Sequence, residues 1–217
     1  MSIHPAKQWH YETMAKKTVE ALKKNDFDAV YASNAAEARR IVLSLIPAGA
    51  TIGFGTSMTL EALGIFEDLR SGEYQPINAP WDPAAQAGPM RMPLRRQAMT
   101  ADVFLAGTNA ITLDGKLVNT DATGNRIAGM IFGPKKTILV AGVNKIVHTL
   151  DEALDRISEW AGPQNSRRLN YNTPCATTGI CNDCRSEGRI CKATVILHRR
   201  TTGTDVTVVL VGEELGL

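Results

Sequence analysis

Apolar and polar positions along this chain repeat with two periods, and the switches between them mark out its elements. From Pro5 to Lys24 the period is helical, with Met14, Thr18, Ala21 and Leu22 on one face. Phe27 to Ala32 reads as a short strand. Asn34 then opens a second helix with Glu37 three positions on, a capping-box arrangement. Its stripe of Ala38, Ile41, Val42, Leu45 and Ile46 is spaced for one buried face, and Pro47 stops it. Ala50 to Phe54 is a strand running into a Gly-rich turn, and Thr59 to Leu63 starts the next helix. Tyr74 to Ala79 reads as another strand. Pro80 to Pro93 is rich in Pro and Gly and reads as irregular, and Leu94 to Thr100 closes a helix.

The second half continues the alternation. Asp102 to Thr108 is a buried strand, followed by a hairpin turning at Asp114-Gly115. Gly124 to Phe132 is helical, and Lys136 to Gly142 is the clearest strand. Thr149 caps a further helix with Glu152 three positions on and an apolar face of Leu150, Ala153, Leu154, Ile157 and Trp160. Ala193 to His198 and Val206 to Gly212 are rich in β-branched residues. They predict a C-terminal β-hairpin turning at Thr202-Gly203. Strands alternating with helices predict one α/β domain over residues 1–217, built on a mostly parallel sheet flanked by helices. Ligands bind such sheets outside the carboxyl ends of the strands, so the loops after Phe54, Ala106 and Ala141 are the ones expected to carry a site.

Composition narrows the function classes. The 217 residues are 44% hydrophobic and 21% charged, ordinary for a globular protein. A net charge of +2, with Arg/Lys pairs scattered as solvated faces (Arg95-Arg96 and Arg167-Arg168 among them), argues against a nucleic-acid surface. No apolar run approaches the roughly 20 residues of a bilayer span. The N-terminal stretch lacks a charged-then-apolar leader, so a cytoplasmic protein is expected; a homo-oligomer stays open.

All four cysteines fall between Cys175 and Cys191, with Cys181 and Cys184 as a Cys-x-x-Cys pair. That pair can place two thiolates within one metal's reach, and Cys175 and Cys191 can fold back to complete a four-sulfur site within loop 173–192. A [4Fe–4S] cluster suits four nearby cysteines, although the spacing is not the ferredoxin one. Zinc and free or redox-paired thiols stay open beside it. Two structural disulfides would need an oxidising compartment.

Two polar constellations carry the remaining chemistry. Gly53-Phe54-Gly55-Thr56-Ser57-Met58-Thr59 joins a strand to a helix, where free N–H groups and the hydroxyls of Thr56, Ser57 and Thr59 suit an anion. Glu61, one turn into that helix, is either a surface acid or a catalytic base. In Asn109 and the run Thr120-Asp121-Ala122-Thr123-Gly124-Asn125-Arg126, Arg126 suits an anion and Asn109 and Asn125 suit orientation. Asp121 suits a hydroxyl or a proton. Lys145 is a further cation candidate. The four histidines show no metal-like pairing and read as structural.

The blocks 53–64, 101–126 and 140–147, with the cysteine segment and the ending Glu213-Glu-Leu-Gly, resemble the lactate-utilisation (LUD) domain family. The resemblance implies the fold shared by ribose-5-phosphate isomerase, glucosamine-6-phosphate deaminase and CoA transferases, with an anion on 53–59 and polar site residues from 120–126. It also implies a component of L-lactate oxidation to pyruvate working with redox partner subunits. The chain lacks the glutamate nucleophile of CoA transferases, which sets that chemistry aside. Two other readings stand beside it. One is a phosphosugar-like isomerase or hydrolase with Asp121 or Glu61 as proton shuttle and a structural zinc. The other is a module sensing a small acid or iron.

Overall fold

A computed structural model describes residues 4–217. Its main sheet has six strands, all parallel, in the order β1-β10-β7-β4-β2-β3. These are β1 (Asp28–Ala32), β2 (Thr51–Phe54), β3 (Gln75–Pro76), β4 (Val103–Gly107), β7 (Lys136–Gly142) and β10 (Asp205–Val211). A second, four-stranded sheet runs β8-β5-β6-β9, with β5 (Ala110–Thr112), β6 (Leu117–Asp121), β8 (Ile146–Val147) and β9 (Ala193–Leu197). The predicted α/β architecture with a mostly parallel sheet is the one observed. The hairpin at Asp114-Gly115 forms as well, joining β5 to β6.

Side-chain alternation on the central strands feeds two apolar layers. Ile138 and Val140 of β7 and Val209 and Val211 of β10 face one layer, where Ala38 and Val42 of α2 (Ala35–Ser44) cover them. Leu139 and Ala141, with Val206, Val208 and Leu210, face the other. There Ala15, Val19 and Leu22 of α1 (Pro5–Lys24) close the layer. Both predicted caps hold their helices: Asn34 Oδ1 accepts from Glu37 N at 2.9 Å, and Thr149 Oγ1 accepts from Glu152 N at 3.2 Å. In each case the glutamate reaches back to the residue before the cap, Ser33 N at 2.7 Å and His148 N at 2.8 Å.

The predicted C-terminal hairpin does not form. β9 pairs antiparallel with β6 in the small sheet, while β10 lies between β1 and β7 in the middle of the large one. From Val206 to Val211 every residue is buried. A strand apolar on both faces belongs inside a covered parallel sheet, whereas a half-exposed hairpin would leave one face wet. The stretch 80–93, read as irregular, contains α5 (Pro83–Gln86), and α6 (Arg91–Gln97) begins near its end. The helix after Thr149 is α8 (Leu150–Asp155), which passes through a π-helical turn at Arg156–Ala161 into α9 (Gly162–Arg168). That change of pitch rotates the predicted apolar face: Ile157 is buried but Trp160 is 66% exposed. Among the described residues no helix is long and apolar enough to cross a membrane.

Strands β7, β4 and β2 are neighbours, so their carboxyl ends, the three loops expected to carry a site, meet at one edge. The β2 end is fixed from outside. Beyond the short β3, the buried Asn78 continues the ladder with its side chain, accepting from Phe54 N at 2.7 Å and donating to Phe54 O at 2.8 Å. Asn78→Ala strands both groups, and urea denaturation is expected to show a loss of about 1–3 kcal/mol. An unchanged midpoint would show that water replaces the amide without cost.

Candidate functional site

The site is built around Arg126, at the start of α7 (Asn125–Ile131). Only 14% of its side chain is exposed. Nη1 donates to Asn119 Oδ1 at 2.9 Å and Gly107 O at 3.4 Å, and Nη2 to Asn109 Oδ1 at 2.9 Å and Thr120 O at 2.6 Å. Asp121 lies 3.8 Å from Nε. The guanidinium therefore spends its terminal donors on protein oxygens and ties the end of β4 to the small sheet. Burial lowers the Arg126 pKa and Asp121 raises it again. Gly55 makes this fit possible, since a Cβ there would lie 3.1 Å from the Arg126 stem. Asp121 is likewise committed: Oδ1 accepts from Thr123 N at 3.2 Å and Oδ2 from Arg126 N at 3.1 Å.

Over this hub lies a cavity of about 340 Å³. Thr56, Ser57, Asn109, Thr120, Asp121, Asn125, Arg126 and Lys145 line it, so the structure brings together most of the residues singled out from sequence. Gly124 starts α7 in the left-handed conformation, φ 90°. Gly53 plays a different part. It lies within β2, where a Cβ would meet Ala98 O at 2.7 Å and the Phe104 ring at 2.9 Å, which is packing and not ligand contact. Ser57 caps α3 (Met58–Ala62), accepting from Leu60 N at 3.3 Å. Glu61 is exposed and lines a neighbouring cavity of about 430 Å³ with Arg70 and Trp81, apart from Asp121. The two cavities share a wall of Thr56, Ser57, Met58, Gln86, Arg95, Asn125 and Arg168.

Three cations in that lining were read from sequence as solvated faces or passed over: Arg91, Arg95 and Arg168. Arg91 and Arg95 lie four apart on α6, so they share one helix face. Among the described residues neither has an acidic partner within ion-pair distance. Arg95 donates to Thr123 Oγ1 at 3.2 Å, and Arg91 Nε is buried without a hydrogen-bond partner. Burial and the Arg91 charge both lower the Arg95 pKa. Like charges four apart on a helix repel each other, and an anion between them would relieve that. Asp121 is the one acidic side chain in the lining, so the cavity carries a positive surplus.

Lys145 ends the short turn Val143–Lys145 that follows β7. It is 5% exposed, and Nζ donates to Thr59 Oγ1 at 3.0 Å. Arg156, on the π-helical turn, fixes that turn by donating to Asn144 O at 2.9 Å and Asn109 O at 2.8 Å. From below, Asn144 Oδ1 accepts from Leu215 N at 3.0 Å. Gly216, at φ 66°, passes so close that a Cβ would lie 2.6 Å from Thr59 Oγ1. Burial, then the charges of Arg156 and Arg126, push the Lys145 pKa down to about 7.

The four cysteines are free thiols, each half-buried. As placed they do not form a ligand set: among the described residues no three His, Cys, Asp or Glu side chains gather as metal ligands. Arg189 organises their loop instead, donating to Cys184 O and Cys191 O at 2.8 Å each and pairing with Asp183 at 2.7 Å. A hydrogen bond from Ser186 lowers the Cys184 pKa. Cys191 and Ile190 also line the cationic cavity.

A family model described as the LUD domain matches residues 15–211. No curated protein matches the chain. Among solved structures, a DUF162 family protein from Deinococcus radiodurans shares the fold, with a TM-score of 0.53 and 13% identity. The match covers 93% of this chain and 98% of that one.

The Lys145 shift has a consequence for stability. Between about pH 7 and the ordinary value of 10.5 the unfolded chain holds a proton that the folded chain has released. Stability therefore rises with pH across that window, and the full penalty of burying the ammonium is present below it. Denaturation of the parent and of Lys145→Met is expected to show the parent gaining on the variant from pH 7 to 10.5, with a constant difference below pH 7. A constant difference throughout would contradict the shift.

Proposed function

The chain belongs to the LUD-domain family, and from that premise we propose that it is a component of L-lactate or related 2-hydroxy-acid utilisation that binds the small acid as its anion. The observation that carries this reading is the surplus of positive charge around the cavity, with Arg91 and Arg95 lacking acidic partners while Arg126 is fully engaged. The arginines of α6 and Arg168 bind the carboxylate. Ser57, Thr56 and Asn125 orient the hydroxyl-bearing end, and Arg126 holds the walls in place. Oxidation of a 2-hydroxy acid to the 2-oxo acid releases two electrons and two protons, and a redox partner subunit is the acceptor in this reading.

The isomerase reading, by contrast, leans on Asp121 or Glu61 as proton shuttle. Both Asp121 oxygens already accept backbone N–H groups, and Glu61 lines the other cavity. Calorimetry with L-lactate, pyruvate and a pentose phosphate separates the two. Tighter binding of the small acids is expected, weakened roughly ten- to a hundredfold by Arg95→Met, the worth of one charge-assisted hydrogen bond. Sugar phosphate bound tightly with no response to lactate or pyruvate would overturn the proposal.

As a further part of this reading, Cys175, Cys181, Cys184 and Cys191 close around a [4Fe–4S] cluster when iron and sulfide are supplied, with zinc as the alternative occupant. No step above passes through it. Anaerobic reconstitution is expected to give broad visible absorbance that is lost on replacing Cys181 and Cys184 by Ser. A colourless protein holding one zinc would reject the cluster, and a protein taking up neither metal would reject both.

A further inference from the structure

Buried lysines in folded proteins are ordinarily matched by an acid, because an unpaired ammonium out of water is costly. Lys145 is not matched. The residue is 5% exposed, and the hydrogen-bond partner of its amine is the neutral Thr59 hydroxyl at 3.0 Å. Among the described residues no carboxylate lies within ion-pair distance of it. The charged groups acting on it are the guanidiniums of Arg126 and Arg156, which repel a proton on Nζ. Asp121, the one acidic side chain of the cavity lining, is committed to Arg126 and to two backbone N–H groups. Arg91, Arg95 and Arg168 line the same cavity. The two guanidiniums that act on Lys145 thus favour the free amine, while the arginines of the lining favour an anion beside it.

From this arrangement we infer that Lys145 is a nucleophile, whose amine forms an imine with the carbonyl of a 2-oxo acid held in the cavity. A lysine kept unprotonated by burial and cationic neighbours is the form that attacks carbonyl carbon. The 2-oxo-acid class rests on the anion-binding reading above; the nucleophilic amine rests on the surroundings of Lys145 alone. The nitrogen lone pair forms a C–N bond as the carbonyl π pair moves to oxygen. That oxygen takes one proton from the attacking nitrogen, relayed through the Thr59 hydroxyl, and a second from solvent as the carbinolamine loses water. The iminium that remains keeps one proton on nitrogen, so one proton is taken up and one water released. No redox equivalent is consumed. A 2-hydroxy acid offers no electrophilic carbon, so the covalent step selects the oxidised partner of the pair, with the carboxylate left free for the arginines.

The test traps the imine on the full-length chain. Incubation with pyruvate and cyanoborohydride, followed by peptide mass mapping, is expected to give an N-alkylated Lys145. Labelling there should be on the order of tenfold or more faster than at the solvent-exposed lysines, which are protonated at neutral pH. Because the site is mapped on the unsubstituted protein, the result does not depend on a variant that folds. Thr59→Val, which keeps the side-chain volume, is expected to slow labelling several-fold. Propanal, a carbonyl without a carboxylate, is the control, and pyruvate is expected to label faster. Pyruvate that raises Tm yet leaves Lys145 unlabelled would overturn the nucleophile and leave anion binding standing. Equal labelling of Lys145 by propanal and pyruvate would overturn the 2-oxo-acid assignment, and the anion reading with it.

Discussion

The site depends on one guanidinium being used up. Arg126 reaches from the start of α7 into the seam between the two sheets and gives its terminal N–H groups to oxygens from Gly107, Asn109, Asn119 and Thr120. Those acceptors belong to the end of β4, to the loop after it and to β6. One buried cation thereby joins the carboxyl edge of the parallel sheet to the small sheet. Nothing apolar could do the same work there, because the carbonyl and amide oxygens it satisfies would be left without donors.

From that constraint the chemistry of the cavity follows. With the Arg126 donors spent on its acceptors and Asp121 beside it, Arg91, Arg95 and Arg168 line the cavity without acids of their own. Lys145 then sits where burial and positive neighbours together disfavour its ammonium form. Arg156 fixes the turn that carries it, and Gly216 packs closely against its partner Thr59. Positive charge around an amine whose ammonium form is disfavoured is what the proposed imine with a small 2-oxo acid draws on.

Much of the scaffold was legible from sequence because its signals are local. The helical period of Pro5–Lys24, the apolar run Lys136–Gly142 and the caps at Asn34 and Thr149 need no knowledge of what packs against them, and each holds. The three loops named as candidate site loops meet because β2, β4 and β7 are neighbours. The failures are non-local. Ala193–Leu197 and Asp205–Val211 look like a hairpin by spacing, yet a strand apolar on both faces is drawn into the centre of the large sheet. Arg91 belongs to a Pro- and Gly-rich stretch that reads as loop, and Arg95 to the helix end that follows it. Only the short helix there shows that they share a face, although their spacing of four was the available clue. The bonds of Arg126 were not legible for a related reason: its type and position signal an anion, and only the pairing of β5 with β6 brings Gly107, Asn109, Asn119 and Thr120 around one guanidinium. For the cysteine loop, spacing says only that the thiols can reach one centre; the bonds of Arg189 to Cys184 O and Cys191 O, which shape the loop, carry no signal in that spacing.

The division of labour between Arg126 and the other cations is the central claim, and a crystal structure of the chain grown with pyruvate addresses it most directly. The expected result is a carboxylate held by the α6 arginines with its keto carbon against Lys145 Nζ, while Arg126 keeps its bonds to Asn109 and Asn119. A carboxylate bound on the Arg126 guanidinium, with those two amides displaced, would contradict it.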